Sequence, residues 1–286
     1  IASANVGVEL GSLEDALYAG YSSDISFTVS DDASAIAGVL AQGDELNNAD
    51  DVNVVGSTID VADAAAVQDI TAYDAVDSDY DIEDSAGAIL SDTGTILNQG
   101  VDDVFVNDPY GAYYYGDNDD VNAQTGLELN VLEDQLQSLN GTGSDVVFDV
   151  EDNAKAIADA LDGDSSRLGN AEEVDVEGGT VDVANASVIQ NVTNYDSGDS
   201  FYNVEDSASA ILTGSGAVLD SGVDNVFVTD SSVDANTGAQ LNALEENFED
   251  NFGGTDIDFT VTDTAGAVAS ELSATGDELD EATDIN

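Results

Sequence analysis

Apolar and polar residues alternate in short runs along this chain, and each run gives way to a stretch of helical periodicity. Ile25-Ser26-Phe27-Thr28-Val29 and Ile257-Asp258-Phe259-Thr260-Val261 carry the period-two pattern of a half-buried strand. After the first comes an Ala-rich stretch with Ile36, Val39 and Leu40 three and four apart, the spacing of one helix face. The junction has a fixed form: Val29-Ser30-Asp31-Asp32-Ala33, Ile82-Glu83-Asp84-Ser85-Ala86, Val150-Glu151-Asp152-Asn153-Ala154, Val204-Glu205-Asp206-Ser207-Ala208 and Val261-Thr262-Asp263-Thr264-Ala265. Ile36, Ile89, Ile157, Ile211 or Val268 closes each one. Asp31, Asp84, Asp152, Asp206 and Asp263 therefore stand where a strand ends and a helix begins.

Between these junctions lies a second kind of half-unit. Strands such as Val52 to Val54, Val104-Phe105-Val106 and Val226-Phe227-Val228 lead through a turn into another helix, the first with a stripe of Ala66, Val67 and Ile70. Two half-units make a repeat of about 57 residues, above the common solenoid periods. The repeats occupy 25–79, 80–145 (with an insertion), 146–200 and 201–256, and a split one has its first half at 257–286 and its second at 1–24. Strand-helix-strand order implies parallel pairing. The expected fold is α/β: a repeat solenoid of strand–helix half-units, with a parallel sheet on one face and helices on the other. Small separate α/β domains are the alternative, disfavoured by a single Pro and no Gly/Ser linker between repeats.

The two ends read as one interrupted unit. Ile285, Ile1, Val6 and Val8 across the join match Val52, Val54, Ile59 and Val61, and also Val174, Val176, Val181 and Val183. The expected assembly interface is Ile285, Asn286, Ile1, Val6 and Val8, with Leu10, Leu13 and Leu17 packing behind. The chain starts at Ile and has no Met, so it reads as processed or excerpted. Head-to-tail contact between copies, or covalent continuation of the same repeat, would complete the split unit. Such an open contact generates fibres.

Composition narrows the chemistry. The 286 residues include 62 acids against Lys155 and Arg167, a formal charge of −60 that opposes compaction unless cations screen or bind it. This charge excludes nucleic acid as a partner. A hydrophobic content of 42% at regular spacing argues against disorder. Without Cys or His there is no thiol catalysis, no Ser-His triad and no ordinary zinc site. No apolar run is long enough to span a membrane.

The apolar-x-Asp-x-Ala-x-Ala pattern, clearest in Val261-Thr262-Asp263-Thr264-Ala265-Gly266-Ala267-Val268, resembles tandem-repeat regions of very large secreted bacterial surface proteins, adhesins among them. That resemblance covers nearly the whole chain. It implies an extracellular or cell-surface structural or adhesive role; it does not imply catalysis. The Gly-Gly-x-Gly-x-Asp repeats of calcium-binding nonapeptides are missing, so their calcium site does not carry over.

Candidate sites follow from the acids and one insertion. The five strand-end aspartates suit helix N-caps or a ladder of calcium ligands. Asp77, Asp79 and Asp81, then Asp117, Asp119 and Asp120, crowd carboxylates that a cation would relieve, making calcium the candidate cofactor. Asp162 and Asp164 copy part of an EF-hand loop, but Arg167 stands where that loop needs Gly. A Tyr-rich insertion between Asp108 and Asp120 offers Tyr110, Tyr113, Tyr114 and Tyr115 as contacts for a partner or surface glycans. Asn140, Asn185 and Asn191 open glycosylation sequons. Carboxylate pairs in so acidic a chain arise by chance, and no unrepeated cluster suggests an enzyme. The expected role is a structural repeat unit of an extracellular filament, sheath or surface layer. The alternatives are a calcium-stiffened adhesin stalk and a carbohydrate-binding or hydrolytic solenoid.

Overall fold

A computed structural model describes residues 1–21, 25–43, 46–107, 120–252, 257–274, 279 and 282–286. The chain divides into two compact units: Ile1–Val121 with Glu128–Phe148, and Asn122–Leu127 with Asp149–Asn286.

The first unit runs α1 (Ala4–Tyr21), β1 (Thr28–Asp31), α2 (Ala33–Leu40), β2 (Asp51–Ile59), α3 (Val61–Gln68), β3 (Asp79–Asp84), α4 (Ala86–Ser91), α5 (Thr93–Ile96), β4 (Val101–Val106) and β5 (Asp120–Val121). Then come α6 (Ala123–Asn140), whose first residues group with the second unit, and β6 (Val146–Val147). Its sheet has the order β1-β2-β3-β4-β6, every pair parallel. Apart from β5, which falls between β4 and β6 in the chain, strands adjacent in this sheet follow one another in sequence, and each connection contains a helix. The protein is thus α/β with parallel sheets.

The second unit repeats that order: β7 (Asp149–Asp152), α7 (Ala154–Leu161), β8 (Val174–Val181), α8 (Val183–Gln190), β9 (Phe201–Asp206), α9 (Ala208–Thr213), α10 (Ser215–Val218), β10 (Val223–Val228) and α11 (Ala235–Phe252). β11 (Ile257–Asp258), β12 (Thr260–Val261), α12 (Ala265–Ala274) and β13 (Asp284–Ile285) complete it. β7, β8, β9, β10 and β11 pair in that order, all parallel, and β12 pairs with β13.

Alternation along the strands places Val29, Val52, Val54, Ile82, Val104, Val174, Val176, Val204 and Val226 in the core, while their neighbours face outward. On α2 the buried face is Ala33, Ile36, Ala37 and Val39. On α3 it is Val61, Ala64 and Val67; Ala66, expected in that stripe, is exposed. The small Ala side chains let helices lie close over the sheet.

Successive repeats of the sequence are not interchangeable. One kind carries eight-residue helices (α2 and α3, α7 and α8), and the other a broken pair followed by an 18-residue helix (α4–α5 then α6, α9–α10 then α11). The true period is therefore doubled, to roughly 115 residues. Side-chain networks repeat with it. Gln68 donates to Tyr80 Oη at 2.7 Å and to the Thr95 carbonyl at 2.9 Å; Gln190 does so to Tyr202 at 2.7 Å and Ala217 at 2.8 Å. Gly100 and Gly222 are needed because a Cβ there would collide with Tyr73 Oη and Tyr195 Oη respectively.

This doubling corrects the reading of the ends. Val6 and Val8 lie on α1, a helix equivalent to α6 and α11, and not on a strand. Ala2 bridges to Val29 as Val233 bridges to Val261. Residues 1–52 thus match 233–285. In both, a Cβ on the glycine of the long helix (Gly7 or Gly238) would meet the same neighbours: Val29, Leu46 and Phe27, or Val261, Leu279 and Phe259.

Candidate functional site

The most regular polar feature is the row of aspartates at the carboxyl ends of strands. Each was expected to cap the helix that follows it or to ligate calcium, and for the capping the structure corrects the sequence. The caps of those helices are the next residues: Asp32 accepts from Ala35 N–H at 2.8 Å, Ser85 from Ala88 at 3.3 Å, Asn153 from Ala156 at 3.1 Å, Ser207 from Ala210 at 3.3 Å and Thr264 from Ala267 at 3.3 Å. The strand-end aspartate instead spans two helices. Its Oδ1 accepts the amide of that following cap residue, at 2.6–3.0 Å across the five. Its Oδ2 accepts the first amide of a neighbouring helix: Asp31 from Ala4 at 2.9 Å, Asp84 from Val61 at 3.2 Å, Asp152 from Ala123 at 3.2 Å, Asp206 from Val183 at 3.3 Å and Asp263 from Ala235 at 3.2 Å.

One carboxylate thereby satisfies orphan donors at two helix starts and opposes two positive dipole ends. Asp230 makes the same bond to Ala208 at 2.7 Å. Asp60 and Asp182, not singled out in the sequence, cap α3 and α8 through Asp63 and Asn185, each at 2.8 Å. The usable signal was the tandem of two capping types (Asp-Asp, Asp-Ser, Asp-Asn, Asp-Ser, Asp-Thr): one residue per helix start would suffice for a simple cap.

Two acidic groups bring carboxylates within 4.8 Å of one another: Asp81, Asp102 and Asp103, and Glu173, Asp196 and Asp199. In the first, burial pushes the Asp81 and Asp102 carboxyls up, and neighbouring negative charges add to the rise. Asp103 N–H donates to Asp81 Oδ1 at 3.3 Å. The second unit has Asn203, Asp224 and Asn225 at the matching positions, where Asn225 Nδ2 donates to Asn203 Oδ1 at 3.1 Å. A neutral pair there stands in for two like charges in the first unit. The second acidic group has its own counterpart in Asp51, Asp74 and Asp77: burial, then the charges of Asp74 and Asp77, hold Asp51 above its ordinary range. Asp196 is held low chiefly by the Gly198 amide, 2.6 Å away. Such oxygen-only sets have the chemistry that calcium or magnesium takes.

The other candidates fall as follows. Asp79 is exposed at the start of β3, and Asp120 lies in β5. Asp162 is the left-handed C-cap of α7 and Asp164 caps the short 3-10 turn Ser165–Leu168, accepting from Ser166 N–H at 3.0 Å. These are local backbone roles. Asp117, Asp119, Tyr110, Tyr113, Tyr114 and Tyr115 lie outside the described residues. Asn140, the first sequon asparagine, donates to the carbonyls of Asn98 at 3.1 Å and Val101 at 2.6 Å.

At the termini, Ile1 is fully exposed and Ile285 partly so, while Asn286 is held to Val261 O at 2.9 Å and to Asp263 N–H at 3.2 Å. On α1, Val6 and Leu13 are exposed, and Val8, Leu10 and Leu17 are half-buried. A feature the sequence reading missed lies on the long helices: Glu133 and Glu245 are buried glutamates that face the first strand residue after their helix. Glu245 Oε1 accepts from Ile257 N–H at 3.1 Å, and the Val146 amide plays that part for Glu133.

No family model, curated protein or solved structure matches this chain. Among the described residues, no helix is long and apolar enough to cross a membrane.

Proposed function

We propose that this chain is a structural repeat segment of an extracellular filament, sheath or surface layer, and that its strand–helix half-units stack as the coils of a solenoid, with sheet on one face and helices on the other. The observation that carries this reading is the return of the module of residues 1–52, in sequence order and with the same packing around its glycine, at residues 233–285. A chain that re-enters its own period supports an open array more readily than a unique catalytic cleft, and no enzymatic role is proposed. The partner is self, through head-to-tail contact or covalent continuation. The aspartate bridges serve as rungs, each tying one coil's strand to the neighbouring coil's helix. Sedimentation velocity over a concentration series in high salt tests the reading: mass should grow without a stop, and a single fixed species at every concentration contradicts it.

A second reading is favoured by the acidic groups: a calcium-stiffened stalk, in which cations bridge Asp81, Asp102 and Asp103, and Glu173, Asp196 and Asp199. Calcium should then raise the unfolding midpoint at concentrations where equal ionic strength of sodium chloride does not. Equal effects from the two salts leave screening of the −60 charge as the whole explanation.

A further inference from the structure

We infer that the outer side of α1, with the strand lead Ile25–Phe27, is a docking face for the closing half of another copy of this repeat: a strand–helix–helix–strand segment of the type of Phe201–Val228, presented with its last strand unpaired. This rests on the proposed repeat array in its covalently continuous form, and names the partner surface within it.

The same face is built three times. On α6, Leu129, Leu132 and Leu136 are 0%, 3% and 0% exposed, and the strand lead places Val146 at 1% and Phe148 at 0%. On α11, Leu241, Leu244 and Phe248 are 0%, 8% and 0% exposed, with Ile257 at 1% and Phe259 at 3%. On α1 the equivalents are Leu10, Leu13 and Leu17, with Ile25 and Phe27; Leu13 is 50% exposed and the other four are half-buried.

What covers the filled copies is defined. β4 pairs with β6, Val104 opposite Val146 and Phe105 opposite Val147. β10 pairs with β11, Val226 opposite Ile257 and Phe227 opposite Asp258. Both covering strands read Val-Phe-Val, and α9 packs on α11. The expected register on the open copy puts a Val opposite Ile25 and a Phe opposite Ser26. An intact second chain does not offer this, because its β4 and β10 already have neighbours on both edges. The occupant is therefore a closing half whose own successor is missing.

The test keeps the whole chain and places an additional copy of residues 146–231 directly ahead of Ile1, the order in which that segment precedes the equivalent Val233. Hydrogen exchange is followed in peptides spanning Leu10–Leu17 and Ile25–Thr28, which occur once in the fusion. Docking predicts that both slow by about ten-fold or more, toward the rates of Leu129–Leu136. Leu13→Glu, at a site exposed in the parent chain, should restore fast exchange on α1 while α11 stays protected. Unchanged exchange in the fusion overturns the inference, and so does protection that Leu13→Glu leaves in place. The filament reading is judged separately, on growth of the unfused chain.

Discussion

Removing the Asp206 carboxylate should loosen two helices that are not consecutive with it in the same way. Asp206 accepts from Ser207 N–H at 2.7 Å and from Val183 N–H at 3.3 Å, the first residue of α8. A lost cap costs about 1 kcal/mol, so Asp206→Ala, which removes both bonds, should cost about 2 kcal/mol. Asp206→Asn keeps only one acceptor oxygen and should cost about 1 kcal/mol. Ser207→Ala removes the cap of α9 alone, through Ala210, and should also cost about 1 kcal/mol. Denaturant titration at fixed salt gives the magnitudes, and amide exchange gives their location. Asp206→Ala should speed exchange at Val183, whereas Ser207→Ala should speed it at Ala210 and spare Val183. If Asp206→Ala costs no more than Ser207→Ala, or leaves Val183 protected, the bridge between helices contributes nothing and the reasoning is wrong.

Other outcomes follow from the same geometry. Leu132→Ala, in a site 3% exposed, should cost about 2–4 kcal/mol, and Leu13→Ala, half-exposed at the matching place, less than about 1, both by denaturant titration. The Glu133 carboxyl is pushed up to about 7, first by burial and then by the Asp145 charge, and its Oε2 is buried without a hydrogen-bond partner. Between its ordinary value and about 7 the unfolded chain releases a proton that the folded chain keeps, so this group's stabilisation is full at low pH, falls through that window and is flat above it. Glu133→Gln should remove that slope, so that the variant gains on the parent as pH rises through about 7, measured as stability against pH. Asp81→Asn with Asp103→Asn, which copies the Asn203–Asn225 pair, should stabilise the first unit without calcium and reduce any calcium-induced rise in its unfolding midpoint.

Much of the fold was legible because strand and helix periods differ sharply in this chain. Alternating Val and Ile positions marked parallel strands buried on a shared core, and Ala-x-Ala-Ile marked the helices over them. What the sequence hid was the doubled period. Successive repeats start with the same apolar-x-Asp junction, so Asp31 and Asp84 look alike, although the helices after their second strands are eight and eighteen residues long. That ambiguity put Val6 and Val8 on a strand: in Val6-Gly7-Val8 a two-residue spacing mimics alternation, but Gly7 is the buried contact of a helix lying against Val29 and Leu46. The role of Asp206 was hidden for another reason. Its second partner, Val183, lies 23 residues back, and only the parallel pairing of β8 with β9 brings it close. Of the acidic candidates, Asp81 and Asp77 joined carboxylates from neighbouring strands and turns, whereas Asp162 and Asp164 were absorbed by local turns.

In the proposed array, the strand–helix half-units continue in one direction through an assembly. Fibre diffraction or electron microscopy of the protein concentrated in high salt with calcium tests it most directly. Parallel strands stacked along the axis predict fibres with a meridional spacing of about 4.8 Å, the distance between paired strands. Discrete particles of single-chain size at every concentration, or fibres whose 4.8 Å spacing lies across the axis, would contradict the account.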